Sequence, residues 1–245
     1  MRSFFLISIC FISSVFISPG HLMAQTSLGD SSFYEEAISN AIGVFRKTER
    51  DQSRLYNGRQ YKPYTFTFIR GVPFFLTEEF TGGTIHYDGS FYDSVRLLYD
   101  EIKEMVIIDL GWRVELVNER IGNFSIGDHQ FLHLKKDSLN NLPASGFYEK
   151  LYNGQVVLYK KEKKEIKDHL SVSDGYQAEA IAKSYYYIKL DNIYHYVKRK
   201  KNLLNIFKDK KNEIQQYMKS SQLNFKNDKE RTLSSVAAYY DQITK

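Results

Sequence analysis

An uncharged apolar run from Phe4 to Ile17 opens the chain, behind Arg2 and ahead of Ser18-Pro19-Gly20 and Met23-Ala24. The run is about 14 residues long, short of the roughly 20 that a bilayer-spanning helix needs. A basic start, an apolar middle and a small closing residue predict a cleaved secretory signal over residues 1–24. Next, Phe33, Ile38, Ile42, Phe45 and Thr48 recur at three- to five-residue steps with charges between them, which predicts a helix over 31–55. Asp30 or Ser31 can cap it, Glu35 and Glu36 suit its first turn, and Asn57-Gly58 stops it.

From about Tyr61 to Val197 the period changes to two. Short β-branched and aromatic runs are punctuated by Gly82-Gly83, Asp88-Gly89, Gly127-Asp128, Asn153-Gly154 and Asp191-Asn192. Asp-Gly, Asn-Gly and Asp-Asn accept the positive φ of tight hairpin turns, so hairpins are expected about residues 88, 153 and 191. Met105–Asp109, Trp112–Asn118 and His129–Leu134 read as further strands. Ile85 and Tyr87 pair with even positions after the turn, yet Val95, Leu97 and Tyr99 carry the apolar face onward. A bulge near Asp93-Ser94 reconciles the two.

Beyond Val197 the period returns to helical. Leu203, Leu204, Phe207, Ile214, Tyr217 and Met218 form one stripe, and Leu233, Val236, Ala237, Tyr240 and Ile243 a second that opens on a capping-box-like Asn227-x-x-Glu230. The expected fold is therefore α+β: an antiparallel β-meander, as a twisted sheet or partial barrel, with an N-terminal helix and two C-terminal helices. Ten to twelve short strands at this spacing leave no room for parallel crossovers. Residues 25–198 form the β-rich domain and 199–245 a basic helical tail packed on it.

Composition adds compartment and charge. Cys10, the sole cysteine, sits inside the apolar run, so a mature chain has neither thiol nor disulfide. Acylation at Cys10 would need a small residue before it, and Ile9 stands there. Residues 199–245 carry 11 Lys and Arg against 5 Asp and Glu, and residues 25–198 carry 22 against 24. Export removes nucleic acid as the partner of this basic segment and leaves an anionic envelope surface or an acidic protein. The candidate binding residues are Lys198, Arg199, Lys200, Lys201, Lys208, Lys210 and Lys211. The 19 Tyr and the 13 Phe that follow Ala24 fit half-buried pleated surfaces, with a ligand-stacking surface as the sharper alternative.

Chemistry is sparse. His129-x-x-x-His133 has the spacing of a helical zinc pair, but it lies on a strand, where residues four apart stand about 13 Å apart. His86, His169 and His195 stand alone in sequence. No nucleophile elbow, zinc-protease motif or phosphate-binding glycine loop occurs. Asp88, Asp93, Asp100, Glu101 and Glu104 could supply a glycosidase pair, as any acidic surface could. No cofactor, metal ligand set or catalytic residue is assigned.

Gly83-Thr-Ile-His-Tyr-Asp-Gly89 with Phe91-Tyr-Asp-Ser-Val-Arg-Leu-Leu-Tyr-Asp100 resembles a pattern of uncharacterised exported proteins from Bacteroidota-type Gram-negative bacteria. Gly146-Phe-Tyr-Glu-Lys-Leu-Tyr-Asn-Gly154, Tyr159-Lys-Lys, Tyr187-Ile-Lys, Tyr194-His-Tyr-Val-Lys and Lys201-Asn-Leu-Leu-Asn-Ile-Phe-Lys-Asp-Lys-Lys211 are similar to it too. The resemblance spans most of residues 55–245 and defines no catalytic or binding residue. It implies an exported protein, periplasmic or peripheral to the outer membrane.

The expected function is a non-catalytic exported envelope protein that binds a protein or an envelope component, without a transmembrane span in the mature chain. The alternatives are a periplasmic carrier of a lipid or acyl chain and a glycan hydrolase. Export is checked directly: protein recovered from the cell envelope is expected to begin at or near Gln25. An intact Met1 on N-terminal sequencing removes the compartment.

Overall fold

The computed structural model describes residues 36–38, 40, 55, 58–171 and 175–245. The chain divides into two compact units, 1–51 and 52–245. In the first, residues 36–38 and 40 are helical, within the helix expected over 31–55. The signal segment 1–24 and the positions Phe33, Ile42, Phe45 and Thr48 lie outside the described residues.

The second unit is α+β, built on one twelve-stranded sheet. Its strands are β1 (Arg59–Gln60), β2 (Thr67–Arg70), β3 (Thr81–Tyr87), β4 (Ser90–Asp100), β5 (Met105–Asp109), β6 (Arg113–Glu115), β7 (Ile121–Ile126), β8 (His129–Leu134), β9 (Gly146–Asn153), β10 (Val157–Ser171), β11 (Gly175–Leu190) and β12 (Ile193–Tyr196). The order β1-β6-β5-β4-β3-β7-β8-β9-β10-β11-β12 does not close, and β2 pairs with β11 off this path.

Two features correct the antiparallel meander. First, β7 returns to the free edge of β3, so the sheet grows outward from β3 in both directions. Second, β2 lies parallel to β11 at Gln177–Glu179, which makes the sheet mixed. A parallel neighbour requires a long crossover, and all of the chain between β2 and β11 serves as one.

The turns follow their local chemistry. Asp88, Asp191 and Asn192 take φ of 50°, 49° and 65°, as tight hairpins demand. The bulge expected near Asp93-Ser94 is present: Gly83 pairs with Val95 but Ile85 with Tyr92, and Ser94 takes φ 56°. Trp112 stays outside β6 and is 48% exposed.

The sheet curls strongly. Tyr99 on β4 and Phe147 on β9 stand four strand positions apart, roughly 19 Å on a flat sheet at about 4.8 Å per strand. Their ring centroids are nevertheless 5.7 Å apart. Ile85, Tyr87, Leu97, Val106, Ile108, Phe124 and Phe131 fill the concave side as one buried cluster. On the other face of β4 and β5, Tyr61 and Phe74 cover Leu98 and Ile107.

The tail folds as three helices rather than two: α1 (Lys200–Ile206), α2 (Lys211–Ser220) and α3 (Lys229–Ile243), with a 3₁₀ turn at Lys208–Lys210 between the first two. Leu203, Phe207, Ile214, Leu233, Val236 and Tyr240 are all buried against Leu158 of β10 and Ile188 of β11. Phe207 stacks on Tyr240 with centroids 4.3 Å apart. The α3 cap is Asp228, which accepts the Arg231 N–H at 3.1 Å. Glu230 is drawn away from the expected capping box, because its carboxylate reaches Lys160 Nζ at 3.2 Å.

Asp241 locks α3 to the sheet. Its buried carboxylate accepts the Tyr152 hydroxyl at 2.9 Å, the Gln155 N–H at 2.8 Å and the Val156 N–H at 3.1 Å. A Cβ at Gly154 would overlap that carboxylate, so only glycine lets the turn come so close. Leaving a buried N–H unpaired costs roughly 1–3 kcal/mol. Asp241→Ala is therefore expected to destabilise the protein by at least that much in urea unfolding, and Gly154→Ala to do so independently. Wild-type midpoints for both variants would show that the lock carries no stability.

Candidate functional site

The acidic residues that could have formed a hydrolytic pair are occupied elsewhere. Asp100 is fully buried and accepts Tyr61 Oη at 2.8 Å, Tyr64 Oη at 3.0 Å, and the N–H groups of Ile102 and Lys103 at 3.0 and 2.9 Å. Burial first, and then the Asp100 charge, pushes both tyrosine hydroxyls far above their ordinary range. Glu101 is buried, with Lys164 Nζ 2.8 Å from its Oε2. Burial raises its carboxyl above the usual carboxylate range, and the Lys164 ammonium opposes that shift.

Glu104 takes Lys161 Nζ at 2.6 Å and the Phe147 N–H at 3.1 Å. Asp93 accepts the next residue's N–H at 2.6 Å, and Asp88 faces Arg120 at 3.9 Å. These contacts hold backbone and lysines in place. The turn from Asp100 to Glu104 thereby joins β4 and β5 to β9 and β10 across the open part of the curl.

The histidines are scattered too. His129 Nδ1 lies 2.5 Å from the buried Glu149, whereas His133 packs on the Phe147 ring at 4.9 Å. Among the described residues no three His, Cys, Asp or Glu side chains converge as a metal set.

The tail cations divide by position. Lys198, Arg199, Lys200, Lys201, Lys208 and Lys211 are exposed, and the half-buried Lys210 lies 3.8 Å from Glu213. Lys198 and Arg199 precede α1, Lys200 and Lys201 begin it, Lys208 and Lys210 lie in the 3₁₀ turn, and Lys211 opens α2. Six of the seven are thus solvent-exposed on a helical layer whose buried side chains are core.

Beside this layer an open cleft of about 650 Å³ lies between α1, β12, the β11–β12 turn and Asn141. Lys208 is the candidate residue that lines it, together with Asn202 and Asn205 of α1 and His195 of β12. Burial lowers the His195 imidazole below its usual range, with the Asp191 charge opposing. Sequence reasoning missed this cleft. Nothing local to Asn202 and Asn205 pairs them with Asn141, which lies about 60 residues earlier.

In comparisons with known proteins, the chain shows no significant match to any family model, curated protein or solved structure.

The acidic turn generates a stability test. Removing one partner of a buried ion pair leaves an uncompensated charge, at a cost of roughly 3–5 kcal/mol, whereas apolar replacement of both is often neutral. Lys164→Met is expected to lose stability on that scale, and the double variant Glu101→Leu/Lys164→Met to recover most of it in guanidinium unfolding. Equal losses in the two variants would assign the cost to packing alone.

Proposed function

We propose that this chain is an exported, non-catalytic binding protein of a Gram-negative cell envelope, held by its basic tail to an anionic surface component. The observation that carries the reading is the two-sided tail. Six of its seven candidate cations are exposed, while Leu203, Phe207, Ile214, Leu233 and Val236 opposite them have no solvent exposure.

An amphipathic helix that inserts in a membrane presents its apolar face to lipid. Here that face is spent on the sheet, so attachment is electrostatic and peripheral. No helix among the described residues is long and apolar enough to cross a membrane. The exported compartment rests on Arg2, the Phe4–Ile17 run and Ala24. The structural duties of Asp100, Glu101 and Glu104 favour binding over hydrolysis. The aromatic packing inside the curl favours surface binding over sheltering an acyl chain there.

Each Lys or Arg close to an anionic surface contributes about 1 kcal/mol, screened within about 8 Å at physiological salt. Binding to vesicles rich in anionic phospholipid, or to lipopolysaccharide, is expected to weaken steeply between low and physiological ionic strength. Lys→Glu changes at 200, 201 and 211 together are expected to abolish it. Salt-independent association, or none at low salt, rejects the reading.

A further inference from the structure

We infer that residues 181–185 of β11 are a strand-addition site, taking an extended segment of a partner protein with an acidic residue between two apolar ones. The 16-residue β11 shares its outer edge between two neighbours, β2 at 177–179 and β12 at 187–190. Between them, among the described residues, no strand lies beside 181–185, and positions 181–184 are exposed. Two contacts show where the main-chain groups of this gap point. Lys164 of β10 sits opposite Ala182 and turns its N–H outward to the Glu101 carbonyl at 3.4 Å. Directly opposed residues of an antiparallel ladder bond each other through both groups or through neither. Ala182 therefore points its N–H and C=O away from β10 and into the gap, as does Ser184 two residues on. The Tyr186 carbonyl keeps the alternation, accepting the Val197 N–H at 2.8 Å. Four main-chain groups thus face a stretch roughly 17 Å long, at about 3.4 Å per residue.

The gap is recessed. Gly71 brings the chain after β2 against the Ala180 carbonyl, where a Cβ would overlap it, and Val197 closes the other end. Both flanking chains then leave toward the face that carries Lys164 and Leu158. The Phe74 carbonyl accepts Lys164 Nζ there at 2.6 Å, and Val197 joins the core of Leu158 and Ile188. The gap stays open from the edge and from the opposite face. A second copy does not fill it, because β2 and β12 keep two such recessed edges apart, and a two-fold axis would set Lys183 against its own copy. A single extended peptide does fit, by adding a strand to the edge.

The open face selects the peptide. Ile181, Lys183 and Tyr185 stand on it in alternation, with Ile181 38% exposed and the Tyr185 ring 6.2 Å from that of Tyr196. Lys163 lies directly opposite Lys183, and the carboxylate beside the pair is Glu165, 2.5 Å from Lys183 Nζ. Two ammonium groups thus share one carboxylate. An acidic side chain opposite Lys183 answers that surplus, and apolar ones answer Ile181 and Tyr185 across the strand. These are the non-hydrogen-bonded pairs, where side chains come closest. The two intervening peptide residues carry the main-chain bonds beside Ala182 and Ser184, whose small side chains impose no further choice. An acyl chain would leave the four main-chain groups unpaired, which costs free energy for each one desolvated.

The inference goes beyond the surface reading and does not need it. The mature chain is titrated by calorimetry with acetyl-Thr-Val-Thr-Glu-Thr-Val-Thr-amide, and with the same peptide carrying lysine in place of glutamate. Saturable binding of the first is expected, about fivefold or more tighter than of the second. N-methylation of either threonine beside the glutamate is expected to weaken it about tenfold, whereas N-methylation of the glutamate stays within about twofold. Ala182→Pro removes a donor that faces solvent, so the strand keeps its own ladder, and peptide binding is expected to fall about tenfold or more at an unchanged thermal midpoint. Lys183→Glu is expected to reverse the preference toward the lysine peptide. Ile166→Pro makes the same change on the free edge of β10 and is expected to leave binding intact. Lys→Glu at 200, 201 and 211 is expected to leave it intact too, so loss of vesicle binding with peptide binding retained, or the reverse, assigns failure to one reading alone. No saturable binding of either peptide overturns the inference, as do equal affinities for the two, or loss on Ile166→Pro in place of Ala182→Pro. A dimer that the peptide dissociates overturns it as well, by giving the gap to a second copy.

Discussion

The curl of the sheet depends on one short turn. Hydrogen bonds carry the ladder from β3 outward in both directions but never close it, so the distance between β4 and β9 is set by side chains. Asp100, Glu101 and Glu104 supply that setting, each toward a different partner: the tyrosines of residues 61–64, Lys164 on β10, and Lys161 with the Phe147 N–H. Gly146 belongs to the same device, since a Cβ there would collide with Glu104 and Lys161. If the turn let go, β9 and β10 would swing from β4, and the aromatic interior would meet water. Two of these anchors are buried, where salt screens little, so the clasp is insulated from ionic strength in a way that the tail is not.

What could be read from the chain was whatever is local. The Asp88-Gly89 and Asp191-Asn192 turns, the strands at Met105–Asp109 and His129–Leu134, and the bulge at Ser94 all follow from neighbouring residues. The hairpin at 153 forms as well, but through residues 154–156 and without the positive φ expected of Asn153-Gly154, because Asn153 pairs with Val157. The apolar stripe of the tail was legible for the same reason, and its six central positions are core. The return of β7 to β3, the parallel seat of β2 and the contacts of Asp100–Glu104 join residues far apart, and periodicity does not encode such pairings. The capping box at Asn227 misled because Glu230 answers a lysine on β10, a partner no helix signal contains. The cleft was illegible on the same ground: Asn141 and Asn205 come to line one space only after β12 and α1 have packed.

Charge has two roles in this molecule. Inside, it is paired and fixed. Lys160, for example, sits among Glu149, Glu162 and Glu230 at 3.7, 3.5 and 3.2 Å. Burial alone would depress its ammonium, but the three carboxylates outweigh that and keep it protonated far beyond neutrality. Outside, between 198 and 211, most of the charge is open to solvent. The cleft between α1 and β12 lies at the boundary, with Lys208 in its lining.

The lock at Asp241 also dictates timing. The carboxylate and the turn it satisfies are 85 to 89 residues apart in sequence. The β9–β10 turn must therefore stay unsatisfied while β11, β12 and the first two helices emerge, and the second core cannot form before α3 arrives. Contacts of such separation slow folding, because loop closure is entropically costly before any reward comes. In a chain delivered from its N-terminus, the finished fold is thus withheld until residue 241 is free.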